Sequence, residues 1–291
     1  MLRVRQEKPL CELPSNLGPI SVNRSYIDLE ELDEHAFPEV KWGGQFSPYD
    51  CTAEHKVAII VPFRDRQKHL ALFIKYMHSF LMKQQIEYRL FIIEQAETHP
   101  FNRGQLMNVG FLESQKMGNW ECFIFHDVDL LPLDPRNVYQ CDKQPRHLAA
   151  AVDKLGFELP NSYSFGGVTA VTLEQFKKVN GFSNRYQGWG GEDDDMSHRL
   201  RMMGYRITRY NMSVARYTML SHSEALRNPK RTYLLSGTKR KNKEDGLSSL
   251  EYVVIKKNLH QLYTHIIANL KEKLDSIEIP YLANMLFGDK L

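Results

Sequence analysis

Several short motifs that bind nucleotides are missing from this sequence of 291 residues. It contains no GxGxxG, which would indicate a Rossmann dinucleotide site, and no GxxxxGK[ST] phosphate-binding loop. It has no apolar run of about 18 residues and no apolar core of a signal peptide, so we expect the sequence as given to be soluble. The formal net charge is only +3, which does not favour binding to nucleic acid or to a membrane surface.

The cysteines follow no metal-binding pattern. Cys11, Cys51, Cys122 and Cys141 show no CxxC spacing and no paired ligands for zinc. Because their number is even, two disulfides can form in an oxidising compartment, and four cysteines allow three pairings. Their positions alone therefore leave the pairing open.

Three short apolar runs are separated by helical patterns. The runs Val57–Val61, Leu90–Ile93 and Cys122–Phe125 are typical of strands buried on both faces of a sheet. After the first run, apolar residues recur at helical spacing up to Leu81, and a second helix is expected to end near Gln115. This β-α-β-α-β order predicts an α/β fold with a mostly parallel sheet flanked by helices.

The length and the ordinary composition, 42% hydrophobic and 25% charged, favour one large α/β domain over two small ones. We expect this domain over residues 55–270. The stretch before it has scattered proline, glycine and acidic residues, which predicts an irregular N-terminal arm over residues 1–54. Residues 271–291 are expected to form a C-terminal tail.

Polar side chains follow each predicted strand. In a sheet of this kind, ligands bind outside the carboxyl ends of the strands. Asp127 and Asp129 follow the third strand and point to one face, since side chains alternate along an extended chain. Two hard oxygen ligands suit Mg²⁺ or Mn²⁺, although a solvated turn after a strand is the alternative.

Arginines near the first two strand ends could neutralise a diphosphate. Arg64 and Arg66 follow the first strand and Arg103 follows the second, and a planar guanidinium binds phosphate oxygens in pairs. Phe63 or Phe101 could stack on a base. Ordinary surface arginines and core phenylalanines are the alternative interpretation.

The segment GWGGEDDD joins a tryptophan to four consecutive carboxylates. Gly190 and Gly191 give the backbone freedom, and the spacing of the apolar residues that follow predicts a helix from Glu192 onward. An acidic first turn can simply stabilise the start of a helix. A large flat ring such as that of Trp189, close to clustered carboxylates, is also typical of a sugar site.

Met219 and His222 lie in the segment MLSH. Histidine is a common metal ligand, but a thioether is soft and an unusual partner for a hard cation. The spacing alone therefore favours a core methionine and a surface histidine.

Taken in order, these segments resemble the β-1,4-galactosyltransferase family. The resemblance runs from about Cys51 to Thr264 and is carried by the segments VPFRDR, FNR, FHDVDLLP, QPRH, FGGV, NGF, GWGGEDDD and DGLSSLEY. Of the family's WGWGGEDDD-type motif, the first tryptophan is Gln187 here and the second is kept as Trp189. The resemblance implies a GT-A glycosyltransferase fold and an inverting transfer from a UDP-sugar to the 4-hydroxyl of a terminal N-acetylglucosamine.

The resemblance also implies roles for individual residues. It makes Asp193 the catalytic base, with Glu192 and Asp194 contacting the donor and acceptor sugars. Arg231 aligns with an arginine of the acceptor pocket. It implies a Mn²⁺ site formed by Asp129, Met219 and His222, which reverses the interpretation from spacing. The implied donor contacts are Pro62, Phe63, Arg64, Arg66, Phe101, Arg103, Asp127, Val128, Lys154, Ser164, Gly167 and Trp189, the last on a mobile loop that closes over the donor.

The cysteines align with two disulfides of the family, Cys11–Cys51 and Cys122–Cys141. This implies a luminal compartment, the Golgi for this family. Family members are anchored by an N-terminal transmembrane helix that has no counterpart in this sequence, so a membrane is expected to be involved only through such an anchor.

The sequence departs from the family beside the donor and near the acceptor. Ser164 stands where galactose-specific members have a tyrosine, which leaves room for an N-acetyl group and favours UDP-N-acetylgalactosamine as a donor alongside UDP-galactose. Tyr163, one position earlier, could compensate if the loop shifts. Next to Arg231, Thr232 replaces an aromatic residue and Tyr233 follows it.

Two other classes of protein are alternatives to a Mn²⁺-dependent transferase. A non-catalytic carbohydrate-binding relative would lack the metal ligands or the base, and all four residues are present. A nucleotidyltransferase would need a glycine-rich phosphate loop after the first strand, where this chain has Pro62-Phe63-Arg64.

Overall fold

A mixed eight-stranded β-sheet forms the centre of the computed structural model, which describes residues 8–33, 35–223 and 225–271. Its strands, in chain order, are β1 Gln45–Phe46, β2 Lys56–Phe63, β3 Glu87–Gln95, β4 Cys122–His126, β6 Arg146–His147, β8 Val168–Thr172, β10 Tyr252–Leu259 and β11 Thr264–Leu270. A second sheet contains β5 Leu130–Pro132, β7 Ala151–Val152 and β9 Arg216–Met219.

The central sheet has the strand order β10-β11-β3-β2-β4-β8-β6, and β1 pairs with β3 outside this path. The pairings β11–β3, β3–β2 and β2–β4 are parallel, and those of β1, β6, β8 and β10 are antiparallel. The predicted α/β class is therefore confirmed. The sheet is less parallel than expected, because antiparallel strands extend both sides of the four parallel ones.

Helices cover the two faces of the central sheet. The α-helices are α1 Gln67–Met82, α2 Arg103–Gln115, α3 Leu173–Lys178, α4 Glu192–Met202, α5 Arg231–Ser236 and α6 Thr238–Lys241, and 3₁₀ turns span Leu29–Glu31, Asp153–Leu155 and Leu247–Ser249. Val57, Ile59 and Val61 of β2 join the core that contains α1, while Ala58 and Ile60 join the core that contains α2. Alternate side chains of one strand thus enter two cores, which is why the strand is apolar throughout.

The small sheet lies directly beyond the end of β4. The chain leaves β4 at His126, turns through residues 127–129 and enters β5, whose Leu130 pairs with Met219 of β9. This pairing brings together segments that are about 90 residues apart in the sequence. It sets Met219 beside the residue that follows Asp129.

The described part of the predicted N-terminal arm is attached to the domain at several points. Cys11 is disulfide-bonded to Cys51, and the Ile20 N–H donates to the Leu133 carbonyl. Cys122 is bonded to Cys141, so the chain segment that carries residues 127–129 is covalently closed. The boundaries of the arm stay a prediction, and the predicted tail lies outside the described residues except for Lys271. No helix among the described residues has the length and apolar character that a membrane span requires.

Candidate active site

Arg103 joins three acidic side chains that come from distant parts of the chain. It is the first residue of α2, whose start is capped by the Asn102 side chain accepting from the Gln105 N–H. Its Nε lies 2.6 Å from Asp127 Oδ1, and its Nη1 lies 2.5 Å from Asp193 Oδ1 and 3.4 Å from Glu192 Oε1. One guanidinium thus faces three carboxylates, which leaves this cluster with an excess of negative charge.

The two acidic residues from α4 reach this cluster because of the glycines before the helix. Gly190 and Gly191 have φ values of +98° and +103°, a conformation that residues with a Cβ rarely adopt. The helix begins at Glu192, as predicted, with four acidic residues in its first turn. Glu192 and Asp195 are buried, Asp193 is half-buried and Asp194 is exposed.

The pKa values of the clustered carboxyls are shifted upward by burial. Burial raises the pKa of Asp193 to about 8, against the opposing charge of Arg103 and with the help of Glu192 and Asp127. Burial likewise raises the pKa of Asp127 to about 6, again opposed by Arg103. A carboxyl with a pKa near neutrality can exchange a proton with a substrate at little cost, which is what a general base requires.

Asp129 and His222 meet at the edge of the small sheet. His222 Nε2 lies 2.9 Å from Asp129 Oδ2, and the Leu220 N–H donates to the Asp129 carbonyl at 2.7 Å. Burial would raise the pKa of Asp129, but the hydrogen bond and charge of His222 lower it below its usual value. The other ring nitrogen of His222, Nδ1, donates to the Ser223 carbonyl at 2.7 Å. That bond orients Nε2 toward Asp129, as in histidines that bind metals.

Met219 is brought alongside this group by its strand pairing with Leu130, the residue after Asp129. Among the described residues, no three histidine, cysteine or acidic side chains gather as a candidate metal site. The Met219 N–H and the Thr218 hydroxyl both donate to the carboxylate of Asp153, at 2.9 and 2.5 Å. Sequence reasoning missed Asp153, and its only signal was a carboxylate directly before Lys154.

A cavity of about 540 Å³ opens beside the carboxylates. Its walls include Gly190 and Gly191, the two residues before α4. They also include the polar or charged residues Asp127, His147, Asn161, Ser164, Glu192, Asp193, Asp194, Arg231 and Thr232. Met219, Gly167 and Trp189 also line it. The Oε2 atom of Glu192 is buried and has no hydrogen-bond partner among the described residues. An unpaired buried oxygen is costly, so this atom favours a ligand that brings a hydroxyl donor.

Several predicted donor contacts lie outside the walls of this cavity. Pro62, Phe63 and Val128 are buried. Arg64 Nη1 donates to the Glu97 and His99 carbonyls at 2.9 and 2.7 Å, and its guanidinium lies 5.5 Å from the Phe101 ring centre. Lys154 is exposed on a 3₁₀ turn, and Arg66 precedes α1 near Asp129. Some of the predicted donor-contact residues therefore line the cavity, and the others lie beside it along the ends of the strands.

The loop that carries Ser164 forms one wall of the cavity. Ser164 and Gly167 line it, and Gly167 has a φ value of +74°. Tyr163 does not line the cavity, because its ring lies under the guanidinium of Arg201 at 4.2 Å and is mostly exposed. Tyr163 thus does not take the place of the missing tyrosine in this structure.

Trp189 stands at the mouth of the cavity beside two arginines. The guanidinium carbons of Arg227 and Arg231 lie 5.6 and 5.8 Å from its ring centre. The ring is 54% exposed. The backbone of Trp189 exchanges two hydrogen bonds, with the Leu226 carbonyl and the Asn228 N–H, both 2.9 Å long. These bonds join the tryptophan to the segment before α5, so the two can move as one piece.

Comparison with known proteins gives matches along most of the chain. A family model described as the N-terminal region of glycosyl transferase group 7 matches residues 11–142, and one described as the N-terminal domain of galactosyltransferase matches residues 146–223. Beta-1,4-galactosyltransferase 1 of Mus musculus is 45% identical over 268 residues, which cover 90% of this chain and 67% of that protein. The Bos taurus protein of the same name is 43% identical over 263 residues, covering 89% and 65%. The chain thus spans about two thirds of the length of these relatives.

Two solved structures share the fold. The catalytic domain of Drosophila beta1,4galactosyltransferase 7 with xylobiose has a TM-score of 0.66 and 28% identity, covering 78% of this chain and 98% of that one. A mutant of the Drosophila enzyme in complex with manganese, UDP-Gal and xylobiose has a TM-score of 0.65 and 29% identity, with the same coverage.

Proposed function

Because this chain belongs to the β-1,4-galactosyltransferase family, we propose that it transfers galactose or N-acetylgalactosamine from a UDP-sugar to the 4-hydroxyl of a terminal N-acetylglucosamine, with inversion. The observation that supports this most directly is the cluster of Asp193, Glu192 and Arg103 at the wall of a cavity large enough for sugars. The acceptors would be glycans of glycoproteins or glycolipids.

Asp193 would act as the base. In an inverting displacement the acceptor hydroxyl loses its proton as it attacks the anomeric carbon, and a carboxylate within hydrogen-bond reach can take that proton. Arg103 holds Asp193 in place, and the raised pKa of Asp193 matches this task. The unpaired oxygen of Glu192 would accept from a sugar hydroxyl, and Asp194 and Arg231 would contact the acceptor.

Asp129, Met219 and His222 fit a divalent cation, with Mn²⁺ as the proposed ion. The fit rests on the carboxylate, on the His222 Nε2 aimed at it, and on the strand pairing that brings Met219 alongside. When bound, the cation stabilises the negative charge that develops on the departing UDP. Asp127, Val128 and the arginines along the strand ends, with Lys154, would hold the rest of the nucleotide.

Trp189 and the segment from about Leu220 to Gly237 would close over the donor. Closure excludes water, whose attack would hydrolyse the UDP-sugar before transfer. The hydrogen bonds between Trp189 and residues 226 and 228 support a joint movement. Protease protection of this segment that depends on UDP-sugar would test the closure.

Ser164 would let the site accept UDP-N-acetylgalactosamine as well as UDP-galactose. Its small side chain lines the cavity, and Tyr163 is held away from it by Arg201. We expect Ser164→Tyr to lower turnover of the N-acetylated donor relative to UDP-galactose. A wild type that strongly prefers UDP-galactose would contradict this proposal.

The function itself is tested by a panel of UDP-sugars and acceptors with Mn²⁺, with the product linkage determined by NMR. We expect a β-1,4 linkage to N-acetylglucosamine. Asp193→Asn, which keeps the size of the side chain, should bind donor normally and lose transfer. Binding of sugar without turnover by the wild type would instead favour a carbohydrate-binding protein. A Golgi luminal location is proposed from the family.

A further inference from the structure

The loop between Asn161 and Gly167 is held by side chains that bind its carbonyl groups. Arg209 Nη2 donates to the Ser162 carbonyl at 3.0 Å and to the Ser164 carbonyl at 2.7 Å. The carbonyl between these two, that of Tyr163, accepts from the Ser197 hydroxyl at 2.6 Å. His147 Nε2 lies 2.9 Å from the next carbonyl but one, that of Gly166. Four of five successive carbonyls are therefore fixed from outside the loop.

Arg209 and His147 form one unit. The Nε of Arg209 donates to His147 Nδ1 at 3.2 Å. Because Nδ1 accepts, Nε2 carries the proton and donates to Gly166. His147 is buried, and burial together with the charge of Arg209 lowers its pKa to about 3, so the ring stays neutral and keeps this arrangement. We call Arg209 and His147 the carbonyl clamp.

The clamp acts on a wall of the sugar cavity that also contacts the proposed base, Asp193. A Cβ built on Gly166 would lie 2.6 Å from Asp193 Oδ2, so the loop backbone is in direct contact with that carboxylate. On the other side of the same loop, Ser164 faces the cavity. A small outward shift of the loop would change the space around the sugar and the support of Asp193 together.

We infer that Arg209, acting with His147, is a positioning residue that sets the width of the sugar cavity and so the choice of donor. This inference rests on the proposed function, because it concerns the same cavity. Neither residue is assigned a role by its sequence pattern. Their only signal was the inclusion of His147 in the segment QPRH.

The test compares Arg209→Met with Arg209→Lys and with the matched control Arg146→Met. Arg146 is a matched control because it precedes His147 in the sequence and donates to the hydroxyl of Tyr210, the residue after Arg209. Its other hydrogen bond is to Asp142, and neither bond reaches the loop. One readout is hydrogen exchange of the Tyr163 and Ser164 amides, which bond to Asn161. The other is kcat/KM for UDP-galactose and for UDP-N-acetylgalactosamine.

In Arg209→Met, we expect the loop amides to exchange about tenfold faster, since two charge-assisted bonds are lost. We expect kcat/KM to fall by about tenfold or more, and the ratio between the two donors to change, because the wall is displaced. Arg209→Lys should be intermediate, since one ammonium group can donate to the two carbonyls but cannot also donate to His147 as the guanidinium Nε does. Arg146→Met should match the wild type in both readouts.

Two results would overturn the clamp. One is a rate of hydrogen exchange of the loop amides in Arg209→Met that equals the rate in the wild type or in Arg146→Met. The other is faster hydrogen exchange of the loop amides with an unchanged ratio of kcat/KM between the two donors, which would show that the clamp does not affect the choice of donor. If the wild type transfers no sugar at all, the proposed function fails separately, and the exchange measurement still decides whether Arg209 holds the loop.

Discussion

The contact between Gly166 and Asp193 gives the sharpest prediction for catalysis. A methyl group on Gly166 would lie 2.6 Å from Asp193 Oδ2, whereas ordinary contacts begin at 3.4 Å, so the two must separate by about 0.8 Å in Gly166→Ala. Asp193 cannot easily yield, because Arg103 holds its other oxygen at 2.5 Å. The carbonyl of Gly166 is also held, by His147.

Because both sides of the contact are held, we expect the required separation to be shared, so that the base is displaced by several tenths of an ångström in Gly166→Ala. A misplacement of about 1 Å can cost about 100-fold in rate, which corresponds to about 2.7 kcal/mol of transition-state stabilisation. The loss should appear in kcat, because donor contacts beyond the loop are unchanged. The donor KM should change much less than kcat.

Steady-state kinetics with varied donor and acceptor measure this effect, with Gly18→Ala as the control. A Cβ on Gly18 would meet nothing within 4 Å, so this variant has the same chemical change without the contact. Thermal denaturation of both variants separates a local displacement from a loss of folding. A Gly166→Ala enzyme with wild-type kcat would refute the argument that this glycine is required by the base.

Three further predictions concern pH and stability. The pKa of Asp193, raised to about 8 by burial, predicts that kcat/KM rises between about pH 6 and pH 8, and a flat pH–rate profile would contradict it. Burial lowers the pKa of His78 to about 4 and of His147 to about 3. As the pH falls, these histidines are therefore protonated in the unfolded chain before they are protonated in the folded one, which favours unfolding. Urea denaturation should show the free energy of unfolding falling by about 2 kcal/mol per histidine from pH 7 to pH 5. Asp195→Ala should cost about 1.5–3 kcal/mol by the same measurement because the buried Arg199 loses the carboxylate 2.5 Å away and keeps only Asp245 at 3.2 Å, whereas the exposed Asp194→Ala should cost little.

The parts of the fold that sequence predicted are those with strong local patterns. The strands β2, β3 and β4 are buried on both faces and each contains a continuous apolar run, and α1 has one apolar stripe. The strands of the small sheet are two to four residues long, and distant pairing decides them. The pairing of Leu130 with Met219 is an example, since neither segment has a strand pattern of its own.

The candidate site was predicted as a set of residues and not as an arrangement. The resemblance to a family joined the acidic helix start to the site, and the chain order indicated only that Arg103 and Asp127 would face the same sheet edge. It could not indicate that Arg103 binds all three carboxylates, since that depends on how α4 is oriented after its two glycines. Spacing alone favoured a core Met219, and only the resemblance to a family suggested a metal ligand there.

The position of Trp189 beside two guanidinium groups also gives the protein an optical reporter. Trp189 is 54% exposed and has two guanidinium groups at 5.6 and 5.8 Å from its ring centre, while Trp120 is buried and Trp42 lies on the N-terminal arm. Cations close to an aromatic ring interact with its electrons. Movement of Trp189 away from Arg227 or Arg231 should therefore change its fluorescence, which provides a label-free test of the proposed closure over a donor.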